Sequence, residues 1–288
     1  MSYAILTAVK NEKDYIEFAL RSVVGQSMLP AAWIIVDDGS TDGTRETAEA
    51  YACRYPWIAI ILQPAGEERS FGGKARAINR AFELVKGMPI DAVANLDGDV
   101  SLDSDHFEFL LHRLEADPRL GIVGTAYVEA DYDSRKDRHQ DASHVSGQCQ
   151  LFRVQCFSEI GGYRPIPAGG IDWLAVNMAR MRGWKTRSYS EKTFFHHKPM
   201  GTGLGGVLRA RIRYGYRDYL FGSYPLWQLF RIAFQMTRRP VFVGGLMLGA
   251  GYVWGCISRP ERPVDIELIR FRRREQLESL RRLWAKKQ

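Results

Sequence analysis

Three short apolar runs that break off into acidic or polar clusters limit the fold of this 288-residue chain more than any other feature. Ala4–Val9 ends at Lys10-Asn11-Glu12, Trp33–Val36 at Asp37-Asp38-Gly39-Ser40, and Asp91–Leu96 at Asp97-Gly98-Asp99. Segments of helical spacing lie between them. In Tyr15–Val24, the residues Ile16, Ala19, Leu20, Val23 and Val24 share one face. Glu46–Tyr51 and Lys74–Val85 read as further helices, and Trp57–Leu62 as another strand. Alternating strand and helix predicts an α/β layer, a mostly parallel central sheet flanked by helices. Such sheets bind ligands at the carboxyl ends of their strands, which is where the three clusters fall.

Beyond residue 130 the pattern loosens. Residues 131–141 are charged and loop-like; a strand near 148–153, a helix over 172–182 and a strand near 186–190 follow. The character changes again at 205, which divides the chain into 1–204 and 205–288. The second part holds 17 Lys/Arg against 6 Asp/Glu, the first 23 against 27. A basic tail on a mildly acidic body implies an anionic partner for the tail. The four cysteines show no CxxC pairing, which argues against a zinc site or a disulfide scaffold. Met1–Val9 reads as a strand rather than a cleaved signal peptide.

Asp97 and Asp99 stand two apart in an extended segment, so both carboxylates can face one ion. Mg²⁺ and Mn²⁺ favour such oxygen ligands, completed by substrate phosphates; an acidic surface turn is the plainer alternative. A carboxylate of Asp37-Asp38 can bond a base or ribose, or simply shape its turn. Gly72-Gly73 before a helix, with Lys74 and Arg76 at its start, favours an anion through backbone amides and two cations. The alternative there is a glycine hinge with a solvated basic turn.

In their order and spacing, TAVKNE (7–12), VDDGSTDGT (36–44), FGGKARAINRA (71–81) and NLDGDV (95–100) resemble glycosyltransferase family 2, whose fold is GT-A. The resemblance covers roughly residues 1–204. It implies an inverting transfer from a nucleotide sugar to an acceptor hydroxyl, with Mn²⁺ or Mg²⁺ as cofactor. By that resemblance Thr7 and Asp37 or Asp38 hold the nucleotide, and Val9, Glu12, Lys74, Arg76, Asn79 and Asp97 complete the donor site. Asp99 binds the metal, with Asp97 helping. The family's catalytic base follows a glycine-rich loop, commonly in a Glu-Asp pair; here GGIDWL (169–174) matches Asp172 to the Asp and puts Ile171 in place of the Glu. Without that context, Asp172 reads as a helix cap. In FFHHKPMGTG (194–203) one imidazole completes the metal site. Neighbours in a strand face opposite ways, and the preference is for His197; Lys198 can meet a phosphate.

Arginines interleaved with Tyr, Trp and Phe over 205–239 suit a bilayer headgroup region. Pro240–Ser258 carries no charge but five glycines. A full span would leave the following basic stretch on the wrong side, so an in-plane or re-entrant segment is expected. Ile266, Ile269, Leu277, Leu280 and Trp284 line one face of a basic amphipathic helix. The expected place is the cytoplasmic membrane face, peripheral or monotopic. The expected partners are an anionic membrane surface and a lipid-linked or membrane-bound saccharide acceptor. Two other classes compete. A nucleotidyltransferase needs a Gly-rich basic loop directly after the first strand, which TAVKNE lacks. A nucleic-acid-binding module could use the basic tail, but no RNA or DNA motif occurs, so no nucleic acid is expected.

Overall fold

A computed structural model describes residues 1–63, 70–130, 132–136, 142–198, 206–238 and 240–285. The chain forms two units, Met1–Pro199 and Met200–Gln288.

The first unit is built on one sheet in the order β3-β2-β1-β4-β8-β6-β9-β5, with the short β7 on β6. β1 (Tyr3–Val9), β2 (Ala32–Asp37), β3 (Ile58–Leu62) and β4 (Ala92–Leu96) are mutually parallel. The runs of β1, β2 and β4 are buried on both faces, with α1 (Ile16–Val24), α2 (Thr44–Ala52) and α3 (Phe71–Val85) among the helices of the layer, whereas the edge strand β3 is partly exposed, Leu62 at 46%. The spacing read in α1 holds: Ile16, Ala19, Leu20 and Val23 are buried. Trp33 closes this core, fully buried, its indole N–H donating to Thr7 Oγ1 at 2.9 Å.

Beyond β4 the sheet is mixed. β8 (Cys149–Arg153) is antiparallel to β4 and to β6 (Leu120–Glu129), whereas β9 (Lys185–His196) is parallel to β6. The parallel sheet expected from the sequence thus describes its first four strands. β9 is longer than the expected 186–190, because an irregularity opposite Thr125/Ala126 lets it resume pairing at Thr193 and run on to His196. That extension meets the two-residue β5 (Val100–Ser101), pairing Val100 with His196. The remaining elements are β7 (Tyr132–Asp133), α4 (His106–Ala116), α5 (Val154–Glu159) and α6 (Ile171–Met181).

His106 opens α4 inside the core. Its Nε2 lies 3.8 Å from Cys149 Sγ, and its Nδ1 has no partner among the described residues. Burial, with Lys192 adding, lowers its pKa to about 4. The folded protein keeps this ring neutral while the unfolded chain protonates it below about 6.5. Its contribution to stability is therefore complete above that pH and falls as the pH drops towards 4, by about 3 kcal/mol in all. Urea unfolding at about pH 7 and about pH 4.5 is expected to show this loss, and His106→Gln to remove it. An unchanged loss in the variant would assign acid sensitivity to other groups.

The second unit is helical: α7 (Gly206–Leu220), α8 (Pro225–Met236), α9 (Val243–Ser258) and α10 (Ile266–Ala285). Glycines let α9 meet its neighbours backbone to backbone. A Cβ on Gly251 would stand 2.0 Å from Ile212 O, and one on Gly215 would stand 1.9 Å from Leu248 O. The opposite face of α9 carries Leu246, Val253, Trp254 and Ile257, all more than half exposed. At 16 residues, α9 is about 24 Å long, short of a hydrocarbon core of about 30 Å. Among the described residues no helix is long and apolar enough to cross a membrane.

The face expected for α10 holds at Ile269 and Leu280, which are buried, and Leu277 is half-buried, but Ile266 is exposed. Leu268, Arg272 and Gln276 join the buried side, Arg272 turning inward to Asp218 of α7. The side chain of Trp284 lies outside the described residues.

Candidate active site

The loops that leave β1 and β2 are laced together. Asn11 takes a left-handed conformation, φ 53°, which asparagine tolerates. Its N–H donates to Ser40 Oγ at 3.0 Å, and its Oδ1 accepts from Thr41 N at 2.9 Å. Glu12 N donates to Thr44 Oγ1 at 2.8 Å and Lys13 N to Asp42 Oδ2 at 3.0 Å. Much of VDDGSTDGT therefore holds a loop in place. Asp37 belongs to that scaffold, its Oδ1 accepting from Ser40 N and Oγ. Asp38 is the more open of the pair, with Lys10 Nζ at 3.5 Å and the backbone of Gly73 alongside.

Gly72 and Gly73 begin α3, whose N-cap Ser70 accepts from Gly73 N at 3.0 Å. A Cβ on Gly73 would stand 3.6 Å from Asp38 Oδ2, so the end of β2 and the start of α3 adjoin. Lys74, in the first turn, reaches Asp97 Oδ1 at 2.5 Å. The ends of β2 and β4 and the N-terminus of α3 thus meet at one place, and Arg76 stays exposed.

Asp97 and Asp99 have different surroundings. Burial pushes the Asp97 carboxyl up, and nearby Asp99 adds to this against the pull of Lys74. Burial also opposes the charge of Asp99, but His196 outweighs it and holds that carboxyl below the usual range. His196 Nε2 lies 3.4 Å from Asp99 Oδ2 and its Nδ1 2.9 Å from Glu129 Oε1. Against the cost of burial, these two carboxylates raise His196 to about 9, so it is a cation at neutral pH. Asp99 Oδ1 is buried and has no hydrogen-bond partner among the described residues. A bare carboxylate oxygen beside a second carboxylate fits a hard divalent cation. Among the described residues no three His, Cys, Asp or Glu side chains gather as a metal cage. A cation held by one or two carboxylates depends on substrate phosphates for the rest of its shell.

The expectation for His197 is corrected here, and several other expected site residues have partners inside the protein. His197 is not directed at Asp99: its Nε2 lies 3.0 Å from Ser101 Oγ and its ring stacks on Phe18 at 4.1 Å. The β5–β9 register turns His196 inward instead. Thr7 is buried, with its hydroxyl taken by Trp33. Val9 is buried as well, and its carbonyl accepts from Asp38 N at 2.9 Å. Asn79 clasps a turn, donating to Tyr163 O at 2.7 Å and accepting from Tyr163 N at 2.8 Å. Glu12 is buried against Lys198, 3.2 Å from both carboxylate oxygens.

Asp172 stands in the first turn of α6. Gly169 and Gly170 turn the chain into that helix at φ 82° and 78°, where only glycine is unstrained. The N-cap is Gly170, so Asp172 is not the cap. Its carboxyl packs on the backbone of Gly147, where an added Cβ would meet Oδ2 at 2.7 Å. Gly147 is fastened from the other side by Asn95 of β4, whose amide donates to its carbonyl at 2.6 Å. Asn95 is two residues before Asp97, so the strand that presents the acidic pair also secures the seat of Asp172. The buried Tyr163 hydroxyl donates to Gln150 Oε1 at 2.5 Å; burial, then Asp172 and Asp97, push it well above the usual range. Tyr163 and Glu129 lie outside every motif, whereas Asn11 and Asn95 lie inside TAVKNE and NLDGDV without being singled out. The two-residue spacing of 95, 97 and 99 is the one hint that could have found Asn95.

The family model for glycosyl transferase family 2 matches residues 4–171. Over 118 residues the chain is 34% identical to a poly-beta-1,6-N-acetyl-D-glucosamine synthase of Staphylococcus aureus, covering 41% of this chain and 26% of that protein. Over 114 residues it is 37% identical to TuaG of Bacillus subtilis, a putative teichuronic acid biosynthesis glycosyltransferase, covering 38% and 42%. The chain thus spans well under two thirds of these relatives. A mannosyltransferase of Pyrobaculum calidifontis, solved with GDP-Man and Mn²⁺, has the same fold at TM-score 0.63 and 16% identity, over 90% of this chain and 88% of that one. TarS of S. aureus, solved with UDP, is alike at TM-score 0.56 and 13% identity, over 90% and 72%. The fold is the GT-A arrangement, and with more than half its length matched, the chain belongs to glycosyltransferase family 2.

Proposed function

We propose that this chain transfers a sugar, with inversion, from a nucleotide diphosphate donor to an acceptor hydroxyl in polysaccharide or glycolipid assembly. The observation that carries the reading is the pairing of bare Asp99 Oδ1 with Asp97, next to Asp38 and the N-terminus of α3. The mannosyltransferase solved with GDP-Man and Mn²⁺ supports a nucleotide sugar and a divalent cation. Asp38 is the open carboxylate for the nucleoside. Asp99 and Asp97 would hold a divalent cation, which when bound stabilises charge on the departing diphosphate. Lys74, now on Asp97, lies within reach of the same phosphates. Asp172 takes the acceptor proton as the new bond forms. His196 keeps Asp99 ionised and aimed, and is a positioning residue. Thermal stabilisation by a panel of nucleotide sugars, with Mn²⁺ and with EDTA, tests the donor reading. Stabilisation by none of them in Mn²⁺ would defeat it.

The acceptor we propose is membrane-bound, at the cytoplasmic face. Support comes from the apolar surface of the helical unit, where Leu229, Phe242, Leu246, Trp254 and Ile257 are each more than half exposed, flanked by exposed Arg238 and Arg259. A patch of this kind on a basic unit suits an anionic bilayer, entered in plane. Each basic residue near the surface contributes about 1 kcal/mol, and each large side chain that inserts about 1.5–3 kcal/mol. High salt should therefore release part of a membrane fraction and detergent all of it. Trp254→Glu with Ile257→Glu should weaken vesicle binding by at least about tenfold. A protein that is monodisperse without detergent and ignores anionic vesicles at low salt would mean a soluble acceptor.

A further inference from the structure

Glu129 reaches the acidic pair through a single ring. In the sheet, β9 lies between β6 and β5. On one side His196 of β9 pairs with Val100 of β5, next to Asp99. On the other side Val128 of β6 pairs with Phe195, which brings Glu129 and His196, the last residues of their strands, side by side. The imidazole bridges the two carboxylates, Nδ1 at 2.9 Å from Glu129 Oε1 and Nε2 at 3.4 Å from Asp99 Oδ2. Glu129 itself stands on a firm support. Its backbone pairs with Tyr132 as β6 turns back into β7, and Ser134 Oγ accepts from Tyr127 N at 2.8 Å.

The side chains of Glu129, His196 and Asp99 are each no more than 12% exposed. Stability does not account for such a chain. Burying charged groups costs desolvation that their attraction often fails to repay, and apolar side chains of similar volume serve as well or better. What the chain supplies is direction. A carboxylate and an imidazole can each turn about the bond that carries them. A ring anchored at Nδ1 by Glu129 keeps its Nε2 on Asp99 Oδ2, and Asp99 Oδ1 is the oxygen left over. That oxygen is the one found bare among the described residues. Groups placed behind a metal ligand fix its aim in this way, and their loss typically costs about 10–100-fold in metal affinity or activity.

We infer that Glu129 is a positioning residue for the cation site: through His196 it holds Asp99 so that Oδ1 stays free for the ion. The inference rests on the donor reading proposed above. Two variants of the full chain separate reach from charge. Glu129→Asp keeps the charge and shortens the arm by one methylene. Glu129→Gln loses the charge and keeps an oxygen that can accept from the ring N–H. Mn²⁺ is titrated with UDP and, separately, with GDP, bound ion being read by electron paramagnetic resonance, and thermal unfolding is followed in EDTA. Glu129→Asp is expected to bind Mn²⁺ about tenfold more weakly, and Glu129→Gln to stay close to the wild type. A merely structural Glu129 would lower the melting temperature in EDTA and leave Mn²⁺ affinity unchanged in both variants, which would overturn the inference. Glu129→Gln as weak as Glu129→Asp, or weaker, would also overturn it, because charge rather than reach would then matter. A wild type that binds Mn²⁺ with neither nucleotide would overturn the donor reading itself, and the role of Glu129 with it.

Discussion

Asp99→Asn is expected to lower glycosyl transfer by about 10³-fold while leaving the fold intact. The substitution keeps the shape of the side chain and an oxygen that can accept from His196. What it removes is the negative charge on the bare Oδ1, which is buried and partnerless among the described residues. If that oxygen holds a cation against the donor diphosphate, its loss withdraws several kcal/mol where charge develops as the glycosidic bond breaks. Two readouts separate this from general damage. Thermal unfolding should shift by only a few degrees, since one bare amide N–H costs about 1–3 kcal/mol. Donor affinity in Mn²⁺ should fall to the wild-type value in EDTA. Full transfer by Asp99→Asn in EDTA would remove Asp99 from the chemistry.

Much of the first unit was legible because its signals are local. α1 and the strands β1, β2 and β4 follow from a few residues of spacing, and their acidic ends follow from where the apolar runs stop. Residues 101–130 carry no motif, yet Phe107, Leu110, Leu111 and Leu114 have helical spacing and form the buried face of α4. What stayed hidden depends on distant partners. Alternation in a strand says that one of His196 and His197 faces inward. Which one is decided by the pairing of β9 with β5, nearly a hundred residues earlier. Asn79 sits inside a donor-site motif, but its amide is claimed by Tyr163, 84 residues on. Arg272 reads as the polar side of a basic helix until Asp218, 54 residues before it, draws it inside. Charged and polar side chains are the hardest to place from sequence, because a single partner can reverse their exposure.

Asp172→Asn is expected to abolish most transfer, by about 10²–10⁴-fold, without weakening nucleotide-sugar binding. The split follows from position. The donor carboxylates stand at the ends of β2 and β4, whereas Asp172 arrives from another element, the first turn of α6, and packs against Gly147. Ile171, its neighbour, is an aliphatic core side chain, 4% exposed, with no group that could take over the proton. The rival role for Asp172 is structural, since an acid in the first turn favours the helix dipole by about 0.3–1 kcal/mol. That role predicts a small loss of thermal stability and transfer within a few-fold of wild type. The catalytic role predicts the reverse: near-native melting, unchanged donor Kd and a collapse of kcat. Donor hydrolysis sharpens the choice, because water can still attack where an acceptor hydroxyl is no longer deprotonated. In Asp172→Asn transfer should therefore fall further than hydrolysis. Equal losses in the two reactions would place the defect in donor activation, and Asp172 would not be the acceptor's base.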